Sequence, residues 1–113
     1  MPNSRPKLAE VTAKLEPLLP RLRADYAIQD CAVFGSVARG TAKRGSDVDL
    51  LVDVVSPLVS LFDLLRLEAE LSAAVGHTVH VTERAALPEP VRTRITREAV
   101  RLDATAASRA AAP

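Results

Sequence analysis

The chain has 113 residues, of which 48% are hydrophobic and 26% are charged, so it can form one domain with one core and is too apolar to be disordered. A formal net charge of +1 and only three aromatic residues argue against a nucleic-acid-binding surface, and no direct nucleic-acid partner is expected. No apolar stretch approaches the roughly 20 residues of a membrane span. The N-terminus lacks a signal-peptide apolar segment, so we expect no membrane partner and a cytoplasmic location.

The first half of the chain is predicted to contain a helical region and two strands. Apolar residues three and four positions apart indicate a helix, in which Pro17 and Pro20 predict a kink or a division into two short helices. The single cysteine, Cys31, excludes an intrachain disulfide and is expected to be buried in an apolar run. The predicted elements are a helix over residues 7–25, a strand from Ile28 to Phe34, a loop from Gly35 to Ser46 with a helical turn near Ser36, and a strand from Val48 to Val55.

The second half is predicted to alternate helix, strand and helix. Ser60 and Asp63 form a capping box that begins a helix, and Gly76 is a suitable end for it. The remaining predictions are a strand from His77 to Thr82, a last helix from Pro88 and Pro90 with Val91, Ile95, Ala99 and Leu102 on its buried face, and a disordered Ala-rich tail over residues 104–113.

These elements define the expected fold class. The order α-β-β-α-β-α predicts a single domain over residues 1–103 with a mixed α/β (α+β) fold, in which helices cover one face of a small mixed sheet. Arg94, Arg97 and Arg101 are three and four positions apart on the last predicted helix. This stripe is either a solvated helix face or a contact surface for an acidic partner or RNA.

The segment that carries chemistry lies between the first two strands. Gly35 permits close approach of the backbone to a ligand, and Ser36 and nearby backbone N–H groups can donate hydrogen bonds to phosphates. Asp47 and Asp49 point to the same face of the second strand, whereas Val48 points to the other. Because two adjacent carboxylates repel each other, a hard cation such as Mg²⁺ between them is favourable. The segment therefore predicts a site for phosphates and a divalent cation.

The same residues resemble the signature of a known superfamily. Gly35-Ser36, ten further residues, and then Asp47-Val48-Asp49 is similar to the signature of the DNA polymerase beta-type nucleotidyltransferases. The longer string Gly-Ser-x-Ala-Arg-Gly, five residues, Ser-Asp-x-Asp-Leu-Leu-Val resembles the minimal nucleotidyltransferases, which are small single domains and often antitoxins paired with a HEPN-domain toxin. The resemblance implies a nucleotidyltransferase fold over nearly all of the chain.

The resemblance also implies an activity and its residues. A nucleoside triphosphate, ATP, would be attacked at its α-phosphate by an acceptor hydroxyl, and pyrophosphate would leave. In active antitoxins of this kind the acceptor is a tyrosine of the cognate HEPN-family toxin, which becomes adenylylated and inactive. The implied nucleotide-binding residues are Gly35, Ser36, Arg39 and Ser46, the ligands of Mg²⁺ (or Mn²⁺) are Asp47 and Asp49, and the catalytic positions are Asp47, Asp49 and position 80.

The chain departs from this family pattern at position 80. The family places a third carboxylate on the next strand, whereas this sequence has His80 between Val79 and Val81. Neutral imidazole accepts a proton near pH 7, but it is a poorer ligand than carboxylate for Mg²⁺. Two interpretations stay open: His80 is the base or a metal ligand of an active site, or the site no longer transfers efficiently.

Three functions therefore stand as hypotheses from the sequence. The first is an antitoxin that transfers AMP from ATP to a tyrosine of a HEPN toxin. The second is a catalytically weakened module of the same fold that neutralises its partner by binding. The third is a stand-alone transferase acting on RNA or a small molecule, which the absence of an evident second substrate-holding domain in this short chain disfavours.

Overall fold

A computed structural model describes residues 4–103 of the chain. The helices are α1 (Leu8–Leu15), α2 (Leu19–Tyr26), α3 (Gly35–Arg39), α4 (Leu61–Val75) and α5 (Val91–Glu98), with short 3₁₀ turns at Glu16–Leu18 and Arg84–Ala86. The strands are β1 (Ile28–Phe34), β2 (Val48–Val54), β3 (Val79–Glu83) and β4 (Val100–Arg101). The tail predicted for residues 104–113 lies outside the described residues.

The N-terminal helical region is divided at its prolines, as the sequence predicted. Pro17 lies in a 3₁₀ turn that joins α1 to α2, and Pro20 occupies the first turn of α2. Proline has no N–H to donate inside a helix, but the first turn of a helix leaves N–H groups unpaired in any case. Two short helices therefore form in place of one.

The four strands form one mixed sheet in the order β3-β2-β1-β4. β2 pairs antiparallel with β1 and parallel with β3, and β4 pairs antiparallel with β1. The register places Phe34 opposite Asp49 and Asp49 opposite His80. The end of β1 and the starts of β2 and β3 therefore meet at one end of the sheet, which positions the site. The sheet and its helices confirm the predicted mixed α/β fold.

The hydrophobic core lies between the sheet and the helices α1, α2 and α4. Val33 and Leu50 of the sheet and Leu67 and Leu71 of α4 are fully buried, with 0% of their surface exposed. Burial of each such side chain stabilises the fold by roughly 1.5–3 kcal/mol before entropic costs. Cys31 is buried in the same core, and its burial raises the pKa of the thiol to about 12.

The last helix is shorter than the sequence predicted. α5 ends at Glu98, Ala99 is extended, and Val100 pairs with Val33 of β1. The N–H of Leu102 donates to the carbonyl oxygen of Cys31 at 2.9 Å, so this segment satisfies its backbone groups on the edge of the sheet. The prediction of one helix through Leu102 was therefore wrong, because pairing with the free edge of β1 replaces the helical hydrogen bonds.

Two further expectations about α5 also change. Thr96 and Ala99 line a shallow cleft with Ala32 and Leu51, which places α5 beside the face opposite the core, and helices therefore flank both faces. The predicted arginine stripe is interrupted, because Arg101 lies on β4. Its guanidinium donates to the carboxylate of Asp30 at 2.6 Å.

The start of the central helix follows its predicted capping box. The N–H of Asp63 donates to the Ser60 hydroxyl at 3.2 Å, and the N–H of Ser60 donates to the Asp63 carboxylate at 2.8 Å. These bonds satisfy backbone donors that a helix start leaves unpaired, and Gly76 closes the other end in a left-handed conformation. Within residues 4–103, none of the helices has the length and apolar character needed to cross a membrane.

Candidate active site

Gly35 brings the backbone of the Gly-Ser turn against the carboxylate of Asp49. Phe34 is paired with Asp49 across β1 and β2, so the next residue along the chain passes beside the Asp49 side chain. Gly35 has a φ of +75°, and a Cβ atom at this position would lie 2.5 Å from Asp49 Oδ2. Such a contact is far inside the van der Waals distance, and L side chains disfavour that φ. Only glycine fits here without displacing Asp49.

Asp47 and Asp49 lie on the same face at the start of β2, as their spacing predicted. The Asp47 side chain is 46% exposed, and Asp49 is partly buried. Burial raises the pKa of Asp49; the charge of His80 opposes this shift, whereas the charge of Asp47 adds to it. A divalent cation would relieve the repulsion between the two carboxylates.

The oxygen donors of this pair suit Mg²⁺. This ion takes one or two carboxylates and completes its coordination with water and substrate phosphates. Within residues 4–103, there is no group of three or more His, Cys, Asp or Glu side chains arranged to hold a metal ion. Asp47 and Asp49 are two carboxylates that could hold the ion, and its remaining positions would suit water and phosphate oxygens.

His80 lies between two carboxylates. It is paired with Asp49 across β2 and β3, so it faces the same side of the sheet. His80 Nε2 is 2.8 Å from Asp47 Oδ2, a hydrogen bond, and His80 Nδ1 is 4.0 Å from Glu68 Oε2. Glu68 is itself held by the N–H of Val81 at 2.7 Å. The imidazole is thus oriented by Asp47 and stands where the family pattern has a carboxylate.

Arg39 and Gly35 share a carboxylate from the last helix. The N–H of Gly35 donates to Glu98 Oε2 at 2.9 Å, and Arg39 Nη1 donates to Glu98 Oε1 at 3.0 Å. The Gly35 hydrogen bond, with the nearby arginine, holds the pKa of Glu98 below its ordinary value. The Gly-Ser turn therefore presents an N–H group and a guanidinium that bind an anionic group.

The two predicted serines differ in their surroundings. Among residues 4–103, the Ser36 hydroxyl has no hydrogen-bond partner and is available to a ligand, while its carbonyl oxygen accepts from the N–H of Thr41. The Ser46 hydroxyl accepts from the N–H of Lys43 at 2.8 Å. Ser46 lines a shallow cleft with Asp47, His77 and others, a set that does not include Gly35 or Ser36. The Ser46 hydroxyl therefore stabilises the turn formed by residues 43–46.

Sequence reasoning missed two acidic residues near the site, Glu68 and Glu98. Glu68 lies on α4, 12 positions before His80, and Glu98 lies 63 positions after Gly35. No local spacing connects either residue to the motif. Glu98 could be assigned to the site only after the pairing of β4 with β1 is known, because that pairing brings the end of α5 next to the Gly-Ser turn.

Comparisons with known proteins agree with this geometry. The family described as nucleotidyltransferase domain matches residues 15–103. The protein adenylyltransferase MntA of Thermococcus cleftensis is 34% identical to the chain over 93 residues, which are 82% of this chain and 93% of the relative. The family match spans the Gly-Ser turn and β2, at whose start both aspartates lie.

Solved structures share the fold. A structure described as a candidate minimal nucleotidyltransferase superposes with a TM-score of 0.71 at 35% identity, covering 83% of this chain and 94% of the other. A toxin–antitoxin complex with AMP-PNP contains a chain that superposes with a TM-score of 0.65 at 20% identity, covering 83% and 84% of the two chains. The chain belongs to the nucleotidyltransferase domain family, among its minimal, MntA-like members.

Proposed function

We propose that this chain is an antitoxin of the nucleotidyltransferase type that transfers AMP from ATP to a tyrosine hydroxyl of a cognate HEPN-family toxin and so neutralises it. The relative from Thermococcus cleftensis is named a protein adenylyltransferase, which supports a protein acceptor. The structural neighbour with AMP-PNP is described as a toxin–antitoxin complex, which supports a toxin partner and a nucleotide substrate.

The observation that carries this proposal is the contact between the Gly-Ser turn and the aspartate pair. Gly35 lies so close to Asp49 that a Cβ atom would clash with its carboxylate. A triphosphate held by Gly35 N–H, the Ser36 hydroxyl and Arg39 would therefore lie beside Asp49. Mg²⁺ in nucleotide sites binds carboxylate oxygens of the protein and phosphate oxygens of the substrate at the same time, so the two groups must lie side by side.

The proposed reaction gives separate roles to the aspartate pair and to His80. Asp47 and Asp49 would hold Mg²⁺, which stabilises the charge on the attacking and leaving oxygens when bound. The tyrosine oxygen forms a bond to the α-phosphorus, the bond from that phosphorus to the α,β-bridging oxygen breaks, and pyrophosphate leaves. The tyrosine proton would pass to Nδ1 of His80, because Nε2 donates its hydrogen to Asp47. The products are AMP-tyrosine, pyrophosphate and one proton.

An activity assay tests this proposal. The purified protein is incubated with Mg²⁺, ATP labelled at the α-phosphate, and the partner toxin. We expect label on the toxin with the wild type and none with Asp47→Asn/Asp49→Asn. Asp25→Asn, which removes an exposed aspartate paired with Arg21, is the matched control and should transfer at the wild-type rate. An unlabelled toxin in the wild-type reaction would refute the enzymatic proposal.

A second candidate function is favoured by the contact between His80 and Asp47. The imidazole engages Asp47 Oδ2, an oxygen that a cation would otherwise share, and it does not supply the third carboxylate of the family pattern. A site with these changes suits a module that neutralises its partner by binding alone. This candidate predicts that the wild type and Asp47→Asn/Asp49→Asn relieve toxin-induced growth arrest equally, whereas the transfer proposal predicts relief by the wild type only.

A further inference from the structure

The most informative contact outside the predicted motif is that of Glu98 with the Gly-Ser turn. One carboxylate of α5 accepts from Gly35 N–H at 2.9 Å and from Arg39 Nη1 at 3.0 and 3.2 Å. A hydrogen bond to an ionised group is stronger than one between neutral groups, and here two donors meet the same anion. These two donors are among the groups that the proposed function assigns to the triphosphate.

We propose that Glu98 competes with the nucleotide for the phosphate-binding groups of the site, so that binding of a triphosphate requires this carboxylate to leave Gly35 and Arg39. This inference rests on the proposed function, because it concerns the regulation of the same site. The physical basis is that two anions do not share one N–H and one guanidinium without strong repulsion.

The fold holds Glu98 in this position. Glu98 is the last residue of α5, and Ala99 is extended and leads directly into β4. Val100 then pairs with Val33, one residue before the Phe34 that precedes Gly35. Because the backbone on the C-terminal side of Glu98 is tied to β1, the Glu98 backbone is kept beside the turn, within reach of Gly35 and Arg39.

The displaced carboxylate has another partner on its own helix. Arg94 is four positions before Glu98, the spacing at which helical side chains meet, and its charge already acts on the Glu98 carboxylate. Arg94, Arg97 and Glu98 line an open cleft along α5. A rotamer change of Glu98 toward Arg94 would therefore release Gly35 and Arg39 without any movement of the backbone.

Calorimetric binding of AMP-PNP with Mg²⁺ to Glu98 variants of the full chain tests the inference. Removing a hydrogen bond to a charged group that competes with the ligand should tighten binding of AMP-PNP by about tenfold for Glu98→Ala. Glu98→Gln keeps an acceptor but loses the charge, so we expect a smaller gain in the same direction. Inorganic tripolyphosphate should show the same order of affinities, and adenosine should bind all variants equally.

Glu89→Gln is the matched control. It removes one negative charge just before the start of α5, nine positions before Glu98, where Glu89 accepts from the N–H of Thr93. Wild-type affinity in this variant, with tighter binding in the Glu98 variants, supports direct competition. Glu98→Gln preserves the shape of the side chain, so it carries the test if the alanine variant does not fold.

The remaining binding results would contradict either the competition by Glu98 or the proposed function. If the wild type and the Glu98 variants bind AMP-PNP with equal affinity, or if the variants bind more weakly, Glu98 does not compete and the inference is wrong, while the proposed function stands. If neither the wild type nor any variant binds AMP-PNP, the proposed function fails, and the inference fails with it.

Discussion

His80 and Asp47 are joined by a hydrogen bond of 2.8 Å between Nε2 and Oδ2, across the parallel strands that carry the site. The contact fixes the imidazole in register with Asp49, at the position where the family pattern has a carboxylate. Asp47 therefore serves two neighbours, the imidazole and the proposed cation. The chemistry of the site depends on how this pair divides those roles.

The first prediction concerns His80→Asp. A carboxylate at this position adds an oxygen ligand next to Asp49, which suits Mg²⁺ better than imidazole does. We expect AMP transfer with Mg²⁺ to rise by roughly tenfold, the lower end of the range by which groups around a metal change its activity. The ratio of the rate with Mn²⁺ to the rate with Mg²⁺ should fall, because imidazole favours the softer ion.

His80→Asn is the control for that substitution, because the amide has neither a proton-accepting nitrogen nor a charge. It should transfer more slowly than the wild type with both metals. The predicted gain assumes that the new carboxylate also accepts the tyrosine proton. Slower transfer in His80→Asp, with an unchanged metal preference, would contradict this and show that aspartate cannot replace the imidazole.

The second prediction compares two glycines that have the same backbone conformation. Gly35 and Gly40 both have a φ of +75°, but a Cβ at Gly40 has no atom within 4 Å, whereas one at Gly35 meets Asp49. Gly40→Ala should cost about 1–2 kcal/mol of unfolding free energy, which is the conformational penalty alone. Gly35→Ala should cost more in urea denaturation and abolish AMP-PNP binding. Nucleotide binding retained in Gly35→Ala would contradict the proposed location of the phosphates.

The third prediction concerns the pH dependence of stability through Glu98. Its pKa is lowered in the folded state, first by the Gly35 N–H, so the ionised carboxylate stabilises the fold. This contribution is fully present well above about pH 4.3, the ordinary pKa of glutamate, and is lost as the pH falls through the lowered folded value. The difference in unfolding free energy between the wild type and Glu98→Gln should therefore shrink below about pH 4.3. A difference independent of pH would show that the charge of Glu98 does not contribute.

The fourth prediction concerns the single thiol. Cys31 is only 4% exposed, and burial raises its pKa to about 12, so almost no reactive thiolate exists at neutral pH. The folded protein should resist alkylation by iodoacetamide, and labelling should proceed only at the rate at which the protein unfolds. Mass spectrometry measures the extent of labelling over time. Rapid modification of Cys31 under native conditions would contradict its burial.

Local patterns in the sequence were sufficient for much of the fold. The break at Pro17 and Pro20 and the capping box at Ser60 depend on neighbours in the chain, and the structure confirms them. The shared face of Asp47 and Asp49 follows from strand geometry alone. Each of these features depends on residues only a few positions apart, so it can be predicted from the sequence alone.

Features that depend on long-range pairing were not predictable in the same way. β4 has only two residues, which is too short to show a strand period, so Ala99 and Leu102 read as a continuation of the apolar face of α5. The contact of Glu98 with Gly35 arises only when β4 pairs with β1, which lies far from it in the sequence. The motif located the site, and the sheet register determines which side chains surround it.

Mass spectrometry of the toxin after co-expression with this chain tests the central claim most directly. If Asp47 and Asp49 support transfer, the toxin should carry the added mass of AMP on a tyrosine. Toxin co-expressed with Asp47→Asn/Asp49→Asn should be unmodified, and Asp25→Asn should leave the modification intact. A neutralised toxin without nucleotide mass in the wild-type co-expression would contradict transfer and assign neutralisation to binding alone.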